Sequence, residues 1–477
     1  SSLLEDNFGT SFAGKYDSIF CPNQGSPQEN LRELTRAIAQ VYASTLNPDA
    51  LLYRRSKGLQ DYDERMAILI QVVKGEFIGN YYLPHAAGVA FSRNSFRWSP
   101  EIRSEDGFVR LVWGLGTRAV DRIGDDYPRL VALSHPLLQP EDSSKAIRRY
   151  SQQFVDVIDL EQNSFQTLPI TQVLDPHYPV LRYIAEVDQG GYLSPIRSLI
   201  REEDLDKLVL TFDQLLNRTR LADRMREMLK ILETHYKAPV DTEFTVRIKD
   251  PGTIQPEAEI CILQCRPQSH FKDSQAQLPK NLPEKDVIFA TSRMVPRGRV
   301  DWIKYVVAVH AEAYLALPTE SARAEVGRAI SKLNAALADQ VFICMGPGRW
   351  GTRNLDLGVY IGYSDIYNTS ALIEVTGQEI GLTPEPSFGT HFFQDLVEAN
   401  IFPLAIDLDD KDVIFNHQFF YDTPNHLVDF IPVNEQLSNA LRLIKVSSYR
   451  PGHALRLVMD DEDGRAAAYL VPQTEEK

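Results

Sequence analysis

The sequence predicts a mixed α/β (α+β) chain built as two units. Short apolar runs bounded by turn residues alternate with amphipathic stretches at helical spacing along the whole length. The polar segment His270 to Asp286 carries two prolines and reads as a linker. The stretches on either side of it are each long enough to bury a core. The expected division is residues 1–270, a linker over 271–286, and a second unit over 287–477.

In the first unit, Ser26-Pro27-Gln28-Glu29 is a capping box with proline at the first helical position. The helix that follows sets Leu31, Leu34, Ile38, Val41 and Tyr42 in one stripe. Met66 to Val73 is a continuous apolar run and reads as a buried strand; Gly88 to Ser92 and Val109 to Trp113 are further strands. Phe154 to Leu160 and Phe165 to Leu168 bracket a hairpin turn at 161–164. Residues 202–236 read as two amphipathic helices, the first lined by Leu205, Leu208, Val209, Phe212 and Leu216, the second by Leu221, Met225, Met228 and Leu232. Met225 and Met228 sit at core spacing and are read as core. Val240 to Ile248 and Ala258 to Cys265 are two strands joined by DPGTIQPE, and antiparallel pairing brings Glu243 close to Gln264.

In the second unit, Trp302 to Leu317 and Glu320 to Ala338 read as helices. Val341 to Met345 is a strand feeding the loop GPGRWG, residues 346–351. Val359 to Tyr363, Leu372 to Val375, Leu404 to Ile406 and Val413 to Phe415 read as strands, and Thr390 to Ala399 and Glu435 to Ile444 as helices. No internal repeat and no low-complexity tract occurs.

Composition narrows the partners. A net charge of −15 lacks the cationic footprint that a duplex-binding protein needs, so nucleic acid is not an expected partner. No run of about 18 apolar residues occurs, so no membrane-spanning helix is expected. The four cysteines form no CxxC pair and no zinc spacing. Cys261 and Cys265, four apart on one strand, are placed on one face as core filler. A reducing cytoplasmic location fits this usage.

The segment SSLLEDNFGTSFAG, residues 1–14, concentrates Ser1, Ser2, Ser11, Gly9 and Gly14. Small residues let backbone N–H groups approach an anion, and Glu5 and Asp6 beside them suit a hard cation. It has no GK[ST] ending and is not a Walker loop. An acidic surface turn is the other reading. A second constellation is Glu243 with Gln264 and Arg266, where Arg266 follows Gln264 by two and shares its strand face. Cross-strand ion pairing is its structural alternative. In GPGRWG, Arg349 and Trp350 are placed to grip something planar or anionic, and His391 stands at an expected helix start where free N–H groups meet anions. The alternatives are a turn with Trp350 packed in the core and Arg349 paired with Asp356 or Asp365, and an ordinary helix-start histidine. Arg297 and Arg299 are read as solvated surface charge.

Five stretches, in order, resemble the ATP-binding domain of pyruvate phosphate dikinase and phosphoenolpyruvate synthase. SSLLED…SFAGKYDSIF is similar to that family's RSSAxxED…SFAGxxDS, and Gly88 to Asn94 to its SGVxFTRNP. Trp113-Gly114-Leu115-Gly116 is similar to its GLGE start, and Asp241 to Phe244 with Leu263 to Pro267 to its DIEW/F and LQxRP pair. Ile68 to Val73 also resembles the hinge strand whose backbone recognises adenine. The resemblance implies an ATP-grasp-like fold and an ATP- and Mg2+-dependent phosphotransferase of the dikinase type. It implies Glu243 and Gln264 as metal ligands and Arg266 as the catalytic phosphate contact. It further implies Ser11, Gly14, Gln71, Arg93 and Asp241 as ATP- or phosphate-binding residues. The partners are then ATP and a phosphoryl acceptor outside this chain, a protein histidine or a small molecule. Apart from the resemblance, the glycine loop and the helix start make Arg349 and His391 a candidate anion or acceptor site. Family members carry an arginine before the two serines and an upstream nucleotide-gripping lobe, so the chain is expected to be a piece of a longer protein. Thr117 stands where the family has glutamate and Ser95 where it has proline. These departures support a second reading, a catalytically weak or inactive nucleotide sensor whose C-terminal domain binds a partner.

Overall fold

The computed structural model describes residues 6–7, 10–11, 16–56, 59, 65–94, 99, 101–120, 126–140, 143–267, 276–293, 295–351, 355–378, 381, 392, 396, 399–461 and 463–473. The chain divides into two compact units, Ser1–Gln268 and Ser269–Lys477. No helix among the described residues is long and apolar enough to cross a membrane.

The first unit is organised by a five-stranded antiparallel sheet in the order Glu257–Pro267, Val240–Lys249, Ala86–Phe91, Phe108–Val112, Arg129–Ala132. One face is apolar: Ala86, Ala90, Val109, Leu111, Val131, Phe244, Val246, Ile248 and Ala258 share a core with Met225 and Leu229 of the helix Leu221–Tyr236. Gly88 is demanded by this sheet, because a Cβ there would lie 1.9 Å from the carbonyl oxygen of Arg110. A four-stranded sheet holds Glu76–Ile78, Tyr81–Leu83, Phe154–Asp159 and Ser164–Pro169, and a three-stranded one holds Leu193–Pro195, Ala185–Asp188 and Leu208–Leu210. The capping box forms: Ser26 and Glu29 exchange their bonds at the start of Pro27–Ala43. The stripe on that helix is less buried than its pattern suggests, since Leu31 and Tyr42 are exposed and only Ala37 is fully buried.

Three first-unit expectations are corrected. Residues 66–73 form no buried strand: Val72 is 81% exposed, Leu69 and Ile70 are exposed, and only Met66 lies in a bridge. A short apolar run cannot by itself tell a buried strand from chain laid along a sheet edge, and the edge beside it is bulged. The first helix of 202–236 is instead a 3-10 turn Glu202–Lys207, the strand Leu208–Leu210 and a short helix Asp213–Arg218. Ladder bonds to Ala185–Asp188 capture Leu208–Leu210, and Phe212 at φ +57° resets the chain. Cys261 and Cys265 face opposite ways, because a bulge between them shifts the alternation by one.

The second unit layers two sheets. Phe402–Asp407, Ala371–Thr376, Phe342–Pro347 and Tyr305–Val309 run parallel in that order, with Leu441–Lys445 antiparallel at the edge. An antiparallel sheet, Gly298–Ile303, His453–Asp460, Arg465–Pro472, Val287–Thr291 and Ile414–Phe415, packs on it through Phe289, Ile303, Val306, Ile343, Ile373, Leu404 and Leu457. The helix Glu320–Ala336 covers the opposite face of the parallel sheet. Trp302 to Leu317 is two strands and a short helix Ala311–Leu315, since the valine-rich run 306–309 finds ladders on both sides and Trp302 sits at φ +60° in a bulge. Val359 to Tyr363 is not a strand; the Leu357 and Val359 carbonyls accept from Arg349 and Gly351 of the loop instead. The helix from Glu435 ends at Ala440, where the edge strand begins. Of Thr390 to Ala399 only residues 392, 396 and 399 are described, and residues 268–275 of the linker lie outside the described residues.

Candidate functional site

The polar face of the five-stranded sheet collects the residues singled out above. Glu243 stands directly opposite Gln264, and Asp241 opposite Arg266. Strand alternation places all four on the face turned away from Phe244 and Val246. The register shift falls between Glu243 and Phe244, leaving Leu263 as the extra residue. Without that residue, Gln264 and Arg266 could not face Asp241 and Glu243 while Ala258 and Ile260 face the core. The Leu263 carbonyl accepts from Gln71 Nε2 at 3.0 Å, which fastens segment 66–75 beside Gln264. The far end of that segment is anchored too. His85 accepts from the Ile248 N–H through Nδ1 at 2.9 Å and meets Glu76 through Nε2 at 3.1 Å, so the ring is the neutral Nε2–H tautomer. Burial pushes its pKa down, which favours that form.

Arg266 Nε donates to Asp241 Oδ1 at 2.8 Å, and both side chains are buried. The cross-strand ion pair therefore exists, on the same face and one row from Glu243 and Gln264. Arg93 is engaged elsewhere: its Nε donates to Glu233 of the helix Leu221–Tyr236 at 3.0 Å. The hairpin Asp6–Asn7 with Thr10–Ser11 pairs Asp6 with Ser11 and lies against the Glu257–Pro267 strand. The side chain of Ser11, Glu5 and Gly14 lie outside the described residues.

A family model, the AMP/ATP-binding domain of pyruvate phosphate dikinase, matches residues 1–286. The chain belongs to this family. Comparison with curated proteins finds no significant match. The domain is ATP-grasp-like, and its ATP-binding character carries over to the first unit.

In this dikinase-family domain the departure at Thr117, just after WGLG, is built into a side-chain network. Thr117 Oγ1 donates to Asp156, Arg118 Nε donates to the same carboxylate at 3.1 Å, and Thr167 Oγ1 donates to it at 2.6 Å. Arg118 also pairs with Asp126, whose pKa burial pushes up in spite of that partner. Asp156 is thus held by one arginine and two hydroxyls. Glu243 and Gln264, by contrast, stand opposite one another with side-chain oxygens on the polar face. No group of three or more His, Cys, Asp or Glu side chains placed to hold a metal occurs among the described residues, and Mg2+ suits a site with few protein ligands because it keeps waters and phosphate oxygens.

Residues 287–477 lie beyond the family match. Here GPGRWG begins in the last two residues of Phe342–Pro347, at the carboxyl end of a parallel strand. Trp350 is buried in the core and donates its backbone N–H to Glu374 Oε1 at 2.8 Å. Gly348, at φ +66°, packs its α-carbon under the Leu357 carbonyl. Arg349 is buried; Asp356 pairs with Arg323, and Asp365 accepts from the Gly362 N–H. His391 lies outside the described residues.

Sequence reasoning missed Arg110, which lies on the polar face and is fully buried. An arginine inside FVRLV, an otherwise apolar strand, was the signal.

Proposed function

We propose that the first unit binds ATP with Mg2+ on the polar face of its sheet and transfers a phosphoryl group, in dikinase fashion, to an acceptor outside this chain. The observation that carries this is the register of Glu243 opposite Gln264, two oxygen-bearing side chains on one face of adjacent strands within a family whose domain binds ATP. Mg2+ bound there would offset charge on the phosphates and draw them into line. Glu243 and Gln264 supply its oxygen ligands. Arg266, steadied by Asp241, keeps a guanidinium where charge develops on the transferred group. Segment 66–75, fastened by Gln71 at the bulge, borders the adenine side. Four free cysteines fit a reducing cytoplasm.

The engagement of Thr117 with Asp156 favours a second reading, a nucleotide sensor without turnover. Product analysis of ATP incubated with the chain, Mg2+ and candidate acceptors separates them. AMP formation supports the dikinase reading, nucleotide binding without any turnover supports the sensor, and no nucleotide binding at all overturns both.

A further inference from the structure

The strand Phe108–Val112 contributes one charged side chain to the polar face of the sheet. Arg110 is 0% exposed, in a strand whose other members are Phe108, Val109, Leu111 and Val112. Pairing sets it in one cross-strand row: Gln264 opposite Glu243, Glu243 opposite Val89, Val89 opposite Arg110. Residues paired in this way share a face. Two strand spacings of about 4.8 Å put the Arg110 backbone about 10 Å from that of Glu243, with Val89 alone between them. Val89, Phe108, Val112, Ala119 and Leu130 form an apolar cluster on this face. A guanidinium keeps its charge at any working pH, and its field through such surroundings is screened far less than through water. The backbone is fixed as well, since the Arg110 carbonyl occupies the space a Cβ on Gly88 would need.

We propose that Arg110 is a positioning residue of the nucleotide site: a fixed positive charge that acts across Glu243 and sets the preference for polyphosphate over uncharged nucleosides. The inference rests on the nucleotide reading given above. Arg110 touches no ligand in this arrangement. It offsets the carboxylate of Glu243, so that a site which must hold a cation does not repel the phosphates that accompany it. Were a ligand group about 10 Å from the guanidinium, an effective dielectric near 20 would make the charge worth on the order of tenfold in affinity for each single charge on the ligand.

The test is calorimetric titration of wild type, Arg110→Met and Arg110→Lys with adenosine, AMP, ADP and ATP in excess Mg2+. Arg110→Met keeps an unbranched side chain beside the apolar cluster and Arg110→Gln keeps a polar end, so the two neutral variants separate loss of charge from loss of hydrogen bonding. The expected result is a loss that grows with phosphate charge, on the order of tenfold for ATP and none for adenosine, with Arg110→Lys close to wild type. Mn2+ binding without nucleotide should be unchanged or tighter in the neutral variants, a sign that general loosening would not give. Equal losses for adenosine and ATP, or no loss, overturn the role of Arg110 alone. A wild type that binds no nucleotide overturns the underlying reading as well.

Discussion

Asp241 and Arg266 form a buried cross-strand ion pair on the face where the nucleotide site is proposed. Both are buried and joined at 2.8 Å, so each is the other's answer to desolvation. Replacing Arg266 by glutamine removes the charged partner of Asp241 and should cost the first unit about 3 kcal/mol in urea unfolding, while Asp241→Asn added to it should restore most of that loss. A double variant as unstable as the single one would show that the pair is not what stabilises the row. At this scale much was legible. That Glu243 lies near Gln264 and that Arg266 shares a face with Gln264 could be read from alternation along two strands joined by a turn, because that geometry is local; the direct pairing of Gln264 with Glu243 depends on the bulge at Leu263. Arg110 was not, because its place beside them is set by two long-range pairings, Val89 with Glu243 and Val89 with Arg110. Arg349 and Trp350 were legible as a loop but not in their burial, which depends on the Leu357 and Val359 carbonyls arriving from downstream.

Elements were read best where a local signal governs them. The capping box, the hairpin at 154–169 and the long strand pair at 240–267 needed no tertiary information. The bulge at Leu263 could not be read, since an extra residue leaves no mark in composition, and it alone reverses Cys261 relative to Cys265. Helix patterns at 202–216 and 302–317 yielded to strand ladders supplied by distant segments. The junction after Tyr305–Val309 carries a testable titration. Burial pushes the His310 pKa down, the Phe420 carbonyl at 3.2 Å raises it, Arg442 lowers it, and the result is about 4 against 6.5 for an ordinary imidazole. The folded chain thus holds this ring neutral where the unfolded chain protonates it. Its contribution to stability is present above pH 6.5 and is lost as pH falls toward about 4. The stability deficit of His310→Phe relative to wild type, measured by urea midpoints, should therefore shrink from pH 7 to pH 5. A deficit independent of pH would show that His310 does not titrate in that window.

At the scale of the whole molecule, the family match and the division of the chain tell different parts of the story. The match over residues 1–286 gives the first unit its ATP-binding character. The second unit is a parallel sheet packed on an antiparallel one, and its role was not legible from motifs, because GPGRWG reads equally as an anion loop or as a packed turn. The central claim concerns the first unit: Glu243 and Gln264, paired across two strands, hold the cation that accompanies ATP. Calorimetric titration of ATP into the chain, with Mg2+ and with chelator, compared with Glu243→Gln, tests it most directly. The account predicts binding that requires the divalent cation and a loss of at least about tenfold in the variant, confined to the cation-dependent part. Equal ATP affinity with and without Mg2+, or a Glu243→Gln chain that keeps the full cation-dependent affinity, would contradict it.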